Sequence, residues 1–153
     1  MSAVRFEVEV EESGSPRIQC VRIRCSGAID REFRLILPKA AEQQFLATTE
    51  VAAPQLVARY LDRPYVQVDI LRLEAASLAA SESSVLAITD TIIARTETPY
   101  NLNVLASFEL EGVTFRKRIN ASNSGAIVLI VPATEYESRS EELFAIASSF
   151  QVQ

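Results

Sequence analysis

Apolar and polar residues alternate with a period of two through much of this chain, beginning with Val4, Phe6, Val8 and Val10 set against Arg5, Glu7 and Glu9. That period sends one set of side chains into a core and the other into solvent, so the opening segment predicts a half-buried strand. Ser13 to Pro16 turns the chain, and a second strand carries Val21, Ile23 and Cys25 on one face and Arg22 and Arg24 on the other. Ile18 and Cys20 have the opposite parity, which predicts a β-bulge near Cys20. After a loop over Ser26 to Asp30, Phe33, Leu35 and Leu37 form the inward face of a third strand that stops at Pro38. A three-stranded meander opens the chain.

From Lys39 the spacing changes. Ala41, Phe45 and Thr48 fall on one helical face, and Pro54 suits a first helical position ahead of Leu56, Val57, Tyr60 and Leu61. Two short helices, or one broken helix, are expected here, ended by Pro64. A strand follows, with Val66, Val68 and Ile70 inward against Gln67 and Asp69. Glu74 to Ser81 reads as a short helix or a loop. Val85 to Arg95 is β-rich without clean alternation, which predicts a strand covered on both faces.

Leu102, Val104, Ala106, Phe108 and Leu110 alternate strictly, and Glu111-Gly112 supplies a two-residue hairpin turn into Val113, Phe115 and Ile119. The implied register sets Phe108 opposite Phe115, Val104 opposite Ile119, and Ser107 opposite Arg116 on the outer face. After the turn Ala121 to Gly125, the run Ala126 to Val131 is apolar on both faces, as in a central strand. Thr134 and Glu137 have the spacing of a capping box. A helix is expected from about Glu135 to Phe150, with Tyr136, Leu143, Ala147 and Phe150 as its stripe and Phe144 and Ile146 beside it. The predicted order is β-β-β-α-β-β-β-β-α: an α+β fold with a mainly antiparallel sheet, helices packed on it, and the C-terminal helix covering it.

Composition narrows the setting. A length of 153 residues suits one domain over 1–153, with 48% apolar residues to fill its core. A net charge of −5 argues against a nucleic-acid partner, because phosphate-backbone affinity comes from clustered cations. No run approaches the ~18 apolar residues of a membrane span, and Met1 to Phe6 shows no export signal. The expectation is a cytoplasmic protein without a membrane span. Cys20 and Cys25 lie at an odd offset in one strand and point to opposite faces, so two free thiols are expected rather than a bridge.

The chain has no histidine. That excludes Ser-His-Asp and Cys-His arrangements and the usual near-neutral general base. Its glycines, Gly14, Gly27, Gly112 and Gly125, stand singly in turns and cradle no phosphate. Asp69, Glu74, Asp90 and Glu109 are the carboxylates that could pair as acid and base, all expected to point outward. Arg22, Arg24 and Arg34 share one expected face, with Arg116 and Arg118 on a second. Together they would make a forked anion or partner contact, and separately they are solvated faces with Glu32 and Glu109 as partners. Tyr65, Leu71 and Leu73 form either an exposed contact patch or a second covered face.

Three stretches, "VLASFELEGVTFRKRIN", "GAIVLIVPA" and the closing "ELFAIASSFQV", resemble the PsbP and DcrB-like group of α/β/α sandwiches over the last third of the chain. The resemblance implies a non-enzymatic accessory subunit, adaptor or secretion-type chaperone that binds another protein, and the missing phosphate-cradling and zinc-ligand motifs add the expectation of no cofactor. Self-association as a homodimer through an exposed strand or sheet face is one form of such binding. The alternative is a small-molecule or lipid-binding domain, with an apolar pocket between sheet and helix and an arginine at its mouth.

Overall fold

The computed structural model describes residues 5–26, 30–47, 55–62 and 66–153. The opening alternation becomes β1 (Arg5–Glu12), β2 (Ile18–Ser26) and β3 (Arg31–Pro38), an antiparallel meander. No bulge interrupts it at Cys20, which pairs with Glu11 on one side and Ile36 on the other. The parity of Ile18 and Cys20 has a simpler cause: both project from the solvent face, alongside Arg22 and Arg24. Cys20 and Cys25 form no disulfide, as expected. Burial pushes the Cys25 thiol up, which keeps it protonated and unreactive.

The helices expected between Lys39 and Leu61 are absent from the described residues of that stretch. Glu42–Leu46 is β4 and Leu56–Asp62 is β5, paired antiparallel with each other. A bulge between Leu56 and Ala58 shifts the parity within β5, so Val57, Ala58 and Tyr60 are all buried. That irregularity imitates helical spacing, and a short apolar run cannot be assigned by period alone. Pairing with β4 and with β6 (Val66–Arg72) decides it in favour of strand. Burial pushes the Tyr60 phenol up to about 12. Val4, the loop centre 27–29, Thr48, Pro54, Pro64 and Tyr65 lie outside the described residues.

Helix α1 (Leu78–Val85) starts at Ser77, whose side chain accepts a hydrogen bond from the Ala80 amide. The Val85 to Arg95 segment is therefore a helix end and a turn before β7 (Thr91–Glu97). This strand is exposed along its whole length, not covered on both faces. It forms the edge of the larger sheet, which explains its lack of alternation: neither face is fully covered. The strands β8 (Leu102–Leu110) and β9 (Val113–Ala121) have the register expected, with Phe108 against Phe115, stacked at 5.2 Å, and Val104 against Ile119. Glu111 and Gly112 both adopt positive φ, as that tight turn demands.

The run expected to be central is so: β10 (Gly125–Pro132) lies between β6 and β9 in a seven-stranded sheet of order β4-β5-β6-β10-β9-β8-β7. Helix α2 (Ala133–Ser149) follows directly. Its N-cap is Pro132 with no side-chain hydrogen bond, so Thr134 and Glu137 form no capping box; Thr134 already lies in the first turn. A strand not foreseen, β11 (Gln151–Val152), returns the chain to β3 and completes a four-stranded sheet of order β1-β2-β3-β11.

Two cores result. The inner face of the small sheet, with Ile23, Phe33 and Leu37, joins Val68, Ile70, Ile127 and Leu129 of the large sheet and Leu143, Ile146 and Ala147 of α2 in one buried cluster. Burying each such side chain is worth roughly 1.5–3 kcal/mol before conformational entropy is subtracted. On the other face of the large sheet, Leu73, Val85, Val104, Ile119 and Val128 form a second, smaller cluster beside α1. The chain is thus an α+β fold, mainly antiparallel, with α2 packed on the sheet.

Candidate functional site

The five arginines do not gather at one place. Arg22, Arg24 and Arg34 stand on the outer face of the small sheet, around Glu32. The Glu32 carboxylate accepts a hydrogen bond from Arg34 Nε at 2.7 Å and lies 3.5 Å from Arg22 Nε and 3.6 Å from Arg24 Nη2. Arg22 also reaches Glu9 at 3.2 Å and Glu11 at 3.0 Å. By register this face carries Arg5, Arg22, Arg24 and Arg34 against Glu7, Glu9, Glu11 and Glu32. Four cations meet four carboxylates, so no charge remains to attract an anion.

The Arg34 hydrogen bond holds the Glu32 carboxyl below the usual carboxylate range, followed by the charges of Arg34, Arg22 and Arg24. A depressed folded pKa adds stability above that range and loses it as pH falls through the folded value. Glu32→Gln is therefore expected to flatten the acid limb. Thermal midpoints of wild type and variant should converge as pH is lowered below the carboxylate range, and a constant gap down to the lowest pH would contradict the assignment.

Arg116 and Arg118 lie on the larger sheet, on the face that carries α2. Arg116 Nη1 donates to Ser107 Oγ at 2.8 Å, as the hairpin register foretold. Arg118 Nη2 donates to Tyr136 Oη at 2.9 Å, and its guanidinium lies 5.3 Å from the Phe144 ring centre. Phe144 belongs to the exposed side of α2 rather than the buried stripe, 54% exposed, with its ring spent on that cation. The hollow between α2 and the sheet, which Leu105, Arg118 and Phe144 line, measures about 280 Å³. That is small beside the ~300–1,000 Å³ of ordinary ligand pockets.

Of the four carboxylates expected to point outward, Glu74 and Glu109 are exposed, whereas the side chains of Asp69 and Asp90 are withdrawn from solvent. Asp69 is buried and accepts two hydrogen bonds from Arg59, at 2.7 and 3.0 Å. The Asp90 side chain is 1% exposed, against 12% for that of Asp69, and accepts from Lys117 Nζ at 2.7 Å. By register Asp69 and Lys117 lie on the α1 face of the large sheet, and burial of a carboxylate requires such a cation. Glu74 pairs with Arg72, and Glu109 accepts from Thr114 Oγ1 at 3.4 Å. Among the described residues, no three acidic or sulfur side chains come close enough to hold a metal ion. No described helix is long and apolar enough to cross a membrane.

Exposed apolar residues also gather on the α1 side of the seven-stranded sheet. Six strand intervals of about 4.8 Å make the sheet about 29 Å wide, with its longest strands about as long. An eight-residue helix is only about 12 Å long. Leu71 is half-buried and Leu73 buried, both at the cluster beside α1, so of the two expectations for them the covered face holds. Ile130 packs against that cluster, and beyond it register places Leu61, Phe115, Phe108, Leu110 and Val113 on the same face. Leu110 is 58% and Val113 47% exposed, and Phe45 and Ile92 flank the patch. Sequence reasoning missed this surface. The signal was present in the excess of alternating strands over the helical residues left to cover them.

No family model matches the chain, and no curated protein does. Among solved structures, the solution structure of cyanobacterial PsbP (CyanoP) from Synechocystis sp. PCC 6803 is similar, with a TM-score of 0.54 at 10% identity. The likeness covers 94% of this chain and 96% of that one, well beyond the C-terminal stretches that carry the sequence resemblance. At that identity it speaks for architecture alone: the chain has a PsbP-like fold.

Proposed function

We propose that the protein is a non-catalytic accessory module that binds a partner protein through the open half of the seven-stranded sheet. The observation that carries this reading is the apolar hairpin end of the sheet, exposed Leu110 and Val113 with half-buried Phe108 and Phe115, which lies outside the cluster beside α1. Contiguous exposed apolar surface of this kind favours association. The charged groups around it are already neutralised within the chain, Arg59 by Asp69 and Lys117 by Asp90, so a partner can cover them without supplying counter-charges. The PsbP-like fold and the absence of histidine agree with binding rather than catalysis. A cytoplasmic accessory subunit, adaptor or secretion-type chaperone is the form this takes. Arg22, Arg24 and Arg34, on the far side, then keep the molecule soluble, and the arginines at positions 116 and 118 fasten α2 and the β8–β9 hairpin.

A photo-crosslinking amino acid placed at position 110 or 113 should give one discrete adduct in the native cell, whereas the same group at position 34 should give none. An adduct at twice the chain mass identifies the partner as a second copy. Equal labelling from positions 34 and 110, or none from either, counts against the proposal.

A further inference from the structure

A second concave site lies on the opposite face of the large sheet, at the end away from the Leu110–Val113 hairpin. The turn between β7 and β8, the turn before β10 and the β11 end together enclose a cleft of about 750 Å³. That volume is within the range of small-ligand sites, ~300–1,000 Å³. Its lining is chemically unlike the rest of the chain. With 23% charged residues overall, fourteen lining positions would carry about three charges on average, yet none of the described lining side chains is Asp, Glu, Lys or Arg. The polar groups are instead carboxamides and hydroxyls, from Asn101, Asn103, Asn120, Asn123, Ser122 and Ser124.

These groups are held in place. Asn101 Nδ2 donates to Asn120 Oδ1 at 3.1 Å, and buried Asn120 donates in turn to the Ala147 carbonyl at 2.8 Å. The Asn101 backbone carbonyl accepts the Thr98 amide at 2.8 Å, so the turn is closed on itself and Asn101 is fixed at the cleft lining. The Asn103 carboxamide makes no hydrogen bond with the described residues. Thr98 Oγ1 accepts the amides of Tyr100 at 3.2 Å and Asn101 at 3.0 Å, which fixes the turn and leaves the Tyr100 ring 80% exposed at the rim.

We propose that this cleft binds a neutral oligosaccharide. Carboxamides and hydroxyls both donate and accept, which matches the dual character of sugar hydroxyls. An ionised ligand would find no counter-charge here, and an apolar one would strand the amides. An exposed aromatic ring offers the flat, weakly polar face on which the C–H side of a sugar ring packs. The site shares no residue with the apolar patch, so either proposal can fail alone.

Isotope-labelled protein titrated with maltotetraose, cellotetraose, mannotetraose and tetra-N-acetylchitotetraose tests this, with a neutral Asn- and Ser-containing tetrapeptide as the comparison. One sugar should shift the amides of residues 98–103 and 120–124 saturably. Tyr100→Ala and Asn103→Ala, neither of which removes a side-chain hydrogen bond within the fold, should each weaken that sugar about tenfold, the loss of one or two directed contacts, with an unchanged melting midpoint. Silence with all four sugars, equal affinity in the variants, or tighter saturable binding of the tetrapeptide would overturn the proposal.

Discussion

Lys117→Ala is expected to destabilise the fold by about 3–5 kcal/mol, because it strands a carboxylate that has almost no contact with water. Asp90 Oδ2 accepts from Lys117 Nζ and from the Ala87 amide, each at 2.7 Å, while Oδ1 is buried with no hydrogen-bond partner. Lys117 is itself 12% exposed and lies 5.2 Å from the Phe108 ring centre, so its loss also removes a cation from that face. The expected remedy is specific. Adding Asp90→Asn removes the charge but keeps an oxygen for the Ala87 amide, and Lys117→Met with Asp90→Asn should recover most of the loss. Urea unfolding of the two variants decides the matter. A Lys117→Ala cost below about 1 kcal/mol would place the pair with ordinary solvated ion pairs.

Phe33→Ala should cost a similar amount, about 3–5 kcal/mol. Phe33 is fully buried on β3, stacks on Phe150 at 6.2 Å, and so joins the small sheet to the end of α2. It also closes over Gly125: a Cβ added there would lie 2.8 Å from Phe33 Cε1, with Leu71 O at 3.0 Å and Val152 Cγ2 at 3.1 Å. Gly125→Ala alone should therefore destabilise by about 1–3 kcal/mol through overpacking. Combined with Phe33→Ala it should cost less than the sum, since the truncated ring vacates the space the methyl needs. Strict additivity in the double variant would show that the two sites do not touch.

The parts of the fold that could be read from sequence are those where one period governs a whole element. The opening strand and the β8–β9 register follow from unbroken alternation, such as Leu102 to Leu110, and the central position of β10 follows from a run apolar on both faces, Ala126 to Val131. The failures share a cause as well. In β5 a bulge beside Val57 imitates helical spacing, and at β7 an edge position removes alternation altogether. Thr134 to Glu137 has the letters of a capping box, but β10 runs straight into the helix at Pro132 and leaves no room for one. Asp69 and Asp90 were misplaced because their cations, Arg59 and Lys117, come from other strands, a pairing that no local spacing announces.

The candidate surfaces were less legible than the fold. Arg22, Arg24 and Arg34 share a face as the alternation implied, but the carboxylates that neutralise them lie on β1 and β3, brought there by pairing. The apolar patch and the amide-lined cleft both depend on what α1 and α2 fail to cover. Coverage is a property of layers, set by helix length against sheet width, and no segment carries it alone.

The open sheet face is tested most directly by affinity capture from native lysate with two baits, the wild-type protein and Leu110→Asp combined with Val113→Lys. Both positions are exposed, so the melting midpoint should be nearly unchanged. Wild type should retain a partner in stoichiometric amount, and the variant should lose it about tenfold or more, as a charge set into an interface core demands. A partner held equally by both baits, or by neither, would contradict a binding role for this face.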